Sequence, residues 1–165
     1  MSERTEALAK RIEQGAQSLA AFAEGLSDAE WQTVVPPDGR TVGVIINHVA
    51  SVYPIEIHLA TELASGKRID GVTWGVVAEM NAKHAREQAA VGKKDTIELL
   101  RRNSRAAADA VRAFTDGQLD RAAPVSLNAD APLTTQFIIE DHALRHSWHH
   151  LAKIKAVLKQ VTVSV

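Results

Sequence analysis

The amino-acid sequence predicts an all-α protein, a four-helix bundle with a long connection before the last helix. Apolar residues recur at a spacing of three and four along several long segments, the pattern of a helix with one buried face. No alternating strand pattern persists outside residues 161–165, and one short tail cannot form a sheet. With 45% hydrophobic and 24% charged residues, the 165-residue chain is expected to form a single globular domain over residues 1–165.

A loop separates the first two predicted helices. The first spans about residues 3–25 and is followed by a short capped turn that carries Trp31. Paired prolines and an Asp-Gly step indicate a loop over residues 34–39, because both resist regular structure. Thr41 is a suitable N-cap for the second helix, which runs to about Ala64.

Two further helices and a connection are predicted before the last helix. The third helix spans about residues 73–91, and a capping box at residues 95–98 begins the fourth, which continues to about Thr115. Residues 116–133 contain glycine and prolines without a sustained period, so they are predicted to form a long connection. One of the two threonines that follow then caps the last helix.

The composition excludes several kinds of function. The chain has no cysteine, so disulfides, thiolate metal sites and cysteine nucleophiles are ruled out, and a metal would need histidine or carboxylate ligands. A net charge of −1 gives no electrostatic reason to expect a nucleic-acid partner. Residues 1–14 lack an apolar signal core, and no apolar run approaches the roughly 20 residues of a membrane span. We therefore expect a cytoplasmic protein without a membrane partner.

Four of the seven histidines lie in one stretch of nine residues, 142–150, within the last predicted helix. At about 3.6 residues per turn, His142, His146 and His150 follow one another along one side, and His146 and His149 are also neighbours. The apolar side of this helix lies nearest His150, with His146 at its edge. The inward pair is therefore His146 and His150, and two imidazoles one turn apart can chelate a metal ion.

The second predicted helix supplies the natural third ligand. On a helical wheel, its apolar residues fall within about 60° of His48, so this histidine faces the core. His58 lies outside the apolar stripe and is expected at the surface. His48, His146 and His150 would form a three-histidine site with an open fourth position for water or substrate, as in catalytic metal centres.

Each of these residues also has an alternative interpretation. A single inward histidine such as His48 is commonly a hydrogen-bonded core residue, whereas burying two unpaired imidazoles one turn apart is costly and favours a metal. Glu56 could orient a ligand, but a lone helical glutamate is usually solvated. His142 and His149 are expected to be exposed, and His84 and Asn81 to be ordinary polar positions on their helix. For all four, the alternative is a place at the mouth of the site.

These motifs resemble the DinB-like (YfiT-like) superfamily of metal-binding four-helix bundles over nearly the whole chain. Residues 41–49 look like the family's segment in which one histidine follows an apolar run, and residues 146–154 look like its carboxy-terminal His-x-x-x-His pair. The resemblance implies that His48, His146 and His150 are ligands, usually of zinc or nickel. Many members continue after the last histidine with Arg-Gly-Gln-Ile, whereas this chain has Leu-Ala-Lys-Ile.

The resemblance also implies a range of activities. Members include thiol S-transferases that use bacillithiol or mycothiol, a mycothiol-dependent maleylpyruvate isomerase and metal-dependent hydrolases. The first hypothesis is therefore a metal-dependent transferase or hydrolase whose metal activates a thiol or a water. Its expected partners are a small-molecule substrate, a low-molecular-weight thiol and a second copy of the chain in a homodimer. The alternatives are a non-catalytic, stress-related, dimeric metal-binding bundle and a metal-free helical module with hydrogen-bonded histidines.

Overall fold

A four-helix bundle forms the body of the molecule. The structure is a computed structural model that describes residues 2–163, with side chains described through residue 160. The helices in chain order are α1 (Glu3–Glu24), α2 (Asp28–Trp31), α3 (Val42–Ala64), α4 (Trp74–Glu87), α5 (Lys93–Arg112), α6 (Asp116–Leu119), α7 (Thr135–Ile138) and α8 (Arg145–Val163). The long helices α5 and α8 each pack against both α1 and α3, so α1 and α3 lie at opposite corners. Fully buried side chains from each long helix form the core, including Ile12, Ile45, Leu100 and Ile154.

The turn between α1 and α3 is held by an indole ring. Trp31 is buried, and its Nε1–H donates to the Val91 carbonyl at 3.2 Å. The ring lies directly against the first turn of α3, where a Cβ on Gly43 would come within 2.4 Å of it. Glycine is therefore required at this close approach. The loop between α2 and α3 is closed by a backbone bridge between Val34 and Thr41, and Thr41 caps α3 as predicted.

The most apolar of the long helices is α3, which packs against α4, α5, α7 and α8. By length and composition alone it could span a membrane, with a mean hydropathy of 1.3 over 18 residues, contrary to the expectation that no segment approaches that length. However, 67% of that window is buried inside the fold. Such burial is that of a core helix, and it places the polar side chains of α3 among apolar neighbours.

Two helix boundaries differ from the predicted ones. Helix α5 begins at Lys93, with Gly92 as its N-cap, so the predicted capping box at 95–98 is wrong. Lys93 Nζ donates to the Leu26 carbonyl and ties this first turn to the end of α1. Helix α4 ends at Glu87, four residues before its predicted end.

The predicted connection contains a small sheet. Strands β1 (Ala122–Val125) and β2 (Ala131–Thr134) pair antiparallel around a 3₁₀ turn, with Pro124 opposite Pro132. The expectation of no strand outside residues 161–165 is therefore wrong. Four-residue strands that each contain proline are too short to show a period of two, which explains the error. Of the predicted tail, residues 161–163 continue α8 and the last two lie outside the described residues.

The last predicted helix is interrupted by a π segment. Thr134 caps α7 as expected, but residues Ile139–Leu144 form π-type turns before α8 begins. A π segment changes the number of residues per turn, so a wheel drawn for α8 cannot be continued back through it. His142 lies in this segment and therefore does not share the straight ladder of His146 and His150 that the sequence predicts.

Candidate metal centre

Three imidazoles converge between α3 and α8. One ring nitrogen from each of His48, His146 and His150 lies within 4.8 Å of the other two. The ring centroids are 5.0 Å apart for His48 and His146 and 4.9 Å apart for His146 and His150. Zinc–nitrogen bonds of about 2.0–2.1 Å in tetrahedral geometry place ligand nitrogens about 3.4 Å apart, so small side-chain rotations would suffice. This donor set fits a divalent metal ion, and sequence reasoning selected the same three residues.

Burial keeps two of these imidazoles neutral. Desolvation, followed by the proximity of His146, lowers the pKa of His48 to about 3 and the pKa of His150 to about 2. Both rings therefore carry unprotonated lone pairs at neutral pH. The Nδ1 of His150 is buried without a hydrogen-bond partner, which is costly in a protein interior. A metal ion would satisfy such an arrangement.

The third imidazole is held by a buried carboxylate. Glu56 is 6% exposed, and its Oε1 accepts a hydrogen bond of 2.6 Å from His146 Nδ1. A carboxylate accepts only, so the proton of this hydrogen bond stands on His146 Nδ1, and Nε2 is the nitrogen available to a metal ion. This is the arrangement by which carboxylates orient histidine ligands of metal ions. The expectation that Glu56 is solvated is wrong, because one helical turn beyond Val52 and Tyr53 it still lies on the buried side of α3.

A hydrogen-bonded pair connects α4 to the site. Asn47 is buried, and its Nδ2 donates to Thr96 Oγ1 at 3.1 Å, which leaves its Oδ1 to accept from His84 Nε2 at 2.9 Å. The His84 ring lies 5.6 Å from the His48 ring. His84 therefore reaches the site from α4, where sequence reasoning favoured an ordinary polar position. Asn47 was missed, and its position beside His48 was the available signal.

The remaining histidines lie around the site or away from it. His149 is exposed, with its ring 5.1 Å from that of His150. The side chain of His142 is 27% exposed and lies 3.9 Å from Asp141. His58 is exposed at the far end of α3, as expected. Among the described side chains, none of these three belongs to the group of converging ligand atoms.

A buried hydroxyl pair fixes the distance between α3 and α8 beside the ligands. Tyr53 and Ser147 are both buried, and their oxygens are 2.8 Å apart. Ser147 directly follows His146, and Tyr53 is five residues from His48. Because a buried hydroxyl needs a partner, this hydrogen bond helps to set how closely the two helices that carry the ligands approach.

Charged residues before α3 form a cluster that sequence reasoning missed. The Arg40 guanidinium donates to both oxygens of Asp38 from Nε and Nη2, the second at 2.9 Å. Lys153 Nζ, on the turn of α8 after His150, donates to the same carboxylate at 3.1 Å. The hydrogen bond from Arg40 holds the pKa of Asp38 well below its usual range. The loop is thereby tied to the helix that carries two of the histidines.

Comparisons with known proteins agree with this fold. A family model of the DinB superfamily matches residues 11–154. Among solved structures, YfiT from Bacillus subtilis superposes with a TM-score of 0.78 at 16% identity, over 98% of this chain and 90% of that one. That protein is described as a probable metal-dependent hydrolase with an unusual four-helix bundle topology. No curated protein matched the chain. The similarity confirms the predicted bundle and the predicted family resemblance.

Proposed function

The chain belongs to the DinB superfamily, and we propose that it is an enzyme dependent on a divalent metal ion, zinc or nickel, held by His48, His146 and His150. The reaction that we propose is transfer of a thiol to an electrophile or hydrolysis of a small substrate. One observation carries the proposal: nitrogens from three imidazoles on two separate helices lie within 4.8 Å of one another, and two of those imidazoles are buried.

The metal ion, the residues around it and a cosubstrate would have separate roles at this centre. When bound, a divalent ion there supplies Lewis acidity that lowers the pKa of a water or a thiol. The Glu56 carboxylate accepts the hydrogen bond from His146 Nδ1 and would leave Nε2 to hold the ion. Since the chain has no cysteine, a thiol must come from a cosubstrate. The description of YfiT as a probable metal-dependent hydrolase supports the hydrolytic alternative.

A second candidate is a non-catalytic metal-binding bundle that forms a homodimer. The observation that favours it is the apolar surface of α4, where Trp74 is 70% exposed and Val76 and Met80 are also exposed. Exposed apolar groups on one helix are a feature of association surfaces. The two candidates share the metal centre and differ in whether it turns over a substrate.

Turnover assays separate these candidates. The untagged protein, loaded with zinc or nickel, is incubated with low-molecular-weight thiols and electrophiles, and separately with ester and amide substrates. We expect product formation that disappears after chelation and in His150→Ala, while His58→Ala, a replacement of an exposed histidine, retains it. Metal-loaded protein without turnover across the whole panel would favour the binding protein.

A further inference from the structure

We propose that the cleft between the loop before α3 and α4 binds the carboxylate group of a small substrate, with Arg40 as the recognising residue. The inference rests on the proposed function, because it names the substrate class of the same site. A cleft of about 510 Å³ opens between these elements, a volume within the range of small-molecule sites. Its lining residues are Asp38, Gly39, Arg40, Ala78, Asn81, Ala82 and Ala85.

The shape of the cleft comes from small residues on α4. Three of its four lining residues from that helix are alanines, at a spacing that places them on one face. Short side chains there leave room for a ligand between α4 and the loop. The fourth residue, Asn81, brings a polar amide to the same face.

Two buried polar atoms of the residues that line this cleft lack protein partners. Asp38 engages Nε and Nη2 of Arg40, but Nη1 is buried and has no hydrogen-bond partner. Asn81 Oδ1 is likewise buried without a partner, and turning the amide over would place its NH₂ group there instead. A buried guanidinium nitrogen without an acceptor is costly, so an acceptor supplied by a ligand would relieve it once α4 moves enough to expose Nη1 to the cleft. A carboxylate provides acceptors of the right geometry for arginine.

The charges favour an anion with one negative charge. Arg40 and Lys153 are two cations that share the single carboxylate of Asp38, which leaves one net positive charge in the cluster. The side chains of Arg40 and Asp38 are only 14% and 11% exposed, so solvent screens this charge weakly. One carboxylate would neutralise it, whereas a phosphate dianion would exceed it.

The cleft adjoins the candidate metal centre. Asn81 precedes His84 by one turn of α4, and His84 lies against the His48 ring and is hydrogen-bonded to the Asn47 amide. Lys153 follows His150 by one turn of α8. A carboxylate anchored at Arg40 would therefore direct the rest of a substrate towards the three histidines.

The test measures binding of benzoate to the full-length protein by calorimetry, with benzamide as the neutral isostere, in metal-free and zinc-loaded forms. Benzoate should bind the metal-free protein, and benzamide should bind about tenfold more weakly or worse. Arg40→Gln should weaken benzoate binding by about tenfold or more. Arg40→Lys, which keeps the charge but loses the planar, bidentate guanidinium, should weaken it by less. The matched control is Arg68→Gln, because Arg68 forms the same kind of pair with Asp70 at an exposed site.

Several results would overturn the inference. These are benzoate affinity unchanged in a folded Arg40→Gln, absence of benzoate binding to the metal-free protein, and binding that requires zinc and ignores Arg40, since the carboxylate would then ligate the metal. If Arg40→Gln fails to fold, Asn81→Ala carries the test, with an expected loss of about threefold or more. Zinc content is measured on the same samples. If the three histidines bind no metal, benzoate should still bind the metal-free protein, so the proposed metal centre and the proposed carboxylate site can be disproved separately.

Discussion

Helices α3 and α4 both contribute side chains to the candidate site, yet they differ in how they are held. Most of α3 is buried, and it supplies His48 together with Glu56, the carboxylate that holds His146. None of the residues of α4, Trp74–Glu87, is buried, although His84 on it reaches the same site and Asn81 lines the neighbouring cleft. The ligand His48 is therefore held by a helix of the buried core, whereas one wall of the cleft is formed by a helix that has no buried residues.

This difference separates two requirements of a metal-dependent enzyme. Metal ligands need fixed geometry, which a helix packed on all sides provides. A substrate cleft can tolerate a wall that adjusts, and helices with few buried contacts open at lower free energy than core helices. We infer that changes on α3 will alter stability and metal affinity, whereas changes on α4 will alter ligand binding with little effect on the fold.

The largest expected effect is a loss of stability in acid. The folded pKa values of His48 and His150 lie far below 6.5, so an unfolded chain binds protons that the folded chain does not, and the free energy of unfolding falls as the pH falls below 6.5. Together they should remove about 4 kcal/mol from metal-free protein between pH 8 and pH 5. Denaturant titrations at each pH measure this. His48→Gln on α3 should reduce this pH dependence of stability more than His84→Gln on α4, because His84 is only half-buried. Equal reductions in the two variants would contradict the comparison of the two helices.

A steric change on α3 should come next. A Cβ at Gly43 would lie 2.4 Å from the Trp31 ring, so Gly43→Ala must displace the indole and should cost about 3 kcal/mol. Gly75→Ala on α4 is the matched control, since its Cβ would meet only Thr73 Oγ1 at 3.6 Å and should not destabilise the protein. Chemical denaturation followed by tryptophan fluorescence gives both values. Similar losses in the two variants would show that α4 is as tightly packed as α3.

The carboxylate beneath the centre should matter for metal affinity. Glu56→Gln retains the shape of the side chain but removes the charge that holds the proton on His146 Nδ1. We expect zinc affinity to fall by about 10- to 100-fold, measured by competition with a chromogenic chelator. Asn81→Ala, on the opposite wall, should change zinc affinity by less than about threefold. Unchanged zinc affinity in Glu56→Gln would show that Glu56 does not orient His146 for metal binding.

The smallest effect is expected where α4 meets α3. His84→Ala removes the hydrogen bond to Asn47 and should lower the free energy of unfolding by about 1 kcal/mol. Hydrogen exchange of amides in α4 should become faster, while those in the buried first half of α3 keep their protection. Faster exchange throughout α3 would contradict the view that α4 is held separately from the core.

The sequence predicts what rests on local periodicity. The helical stripe of α3 and the i, i+4 pair on α8 identified the inward His48, His146 and His150, because apolar neighbours define the buried face of a helix. Thr41 and Thr134 were recognisable as caps because their hydroxyls accept from backbone amides nearby in sequence.

The parts that could not be predicted depend on contacts between distant segments. The Glu56–His146 hydrogen bond and the Asp38–Lys153 ion pair join residues 90 and 115 positions apart, which no local pattern records. The β1–β2 hairpin is too short for a period to emerge. The π segment displaces His142 from the ladder through a change in backbone hydrogen bonding that no residue pattern had signalled.

The most direct test is the metal content of the untagged protein and its histidine variants, measured by mass spectrometry after exhaustive dialysis and repeated after zinc loading. We expect one metal ion per chain in the parent and in the controls His58→Ala and His149→Ala. Each of His48→Ala, His146→Ala and His150→Ala should lose it while remaining helical by circular dichroism. A parent protein that retains no metal, or a metal that survives His48→Ala and disappears with His142→Ala or His149→Ala, would contradict a centre built between α3 and α8.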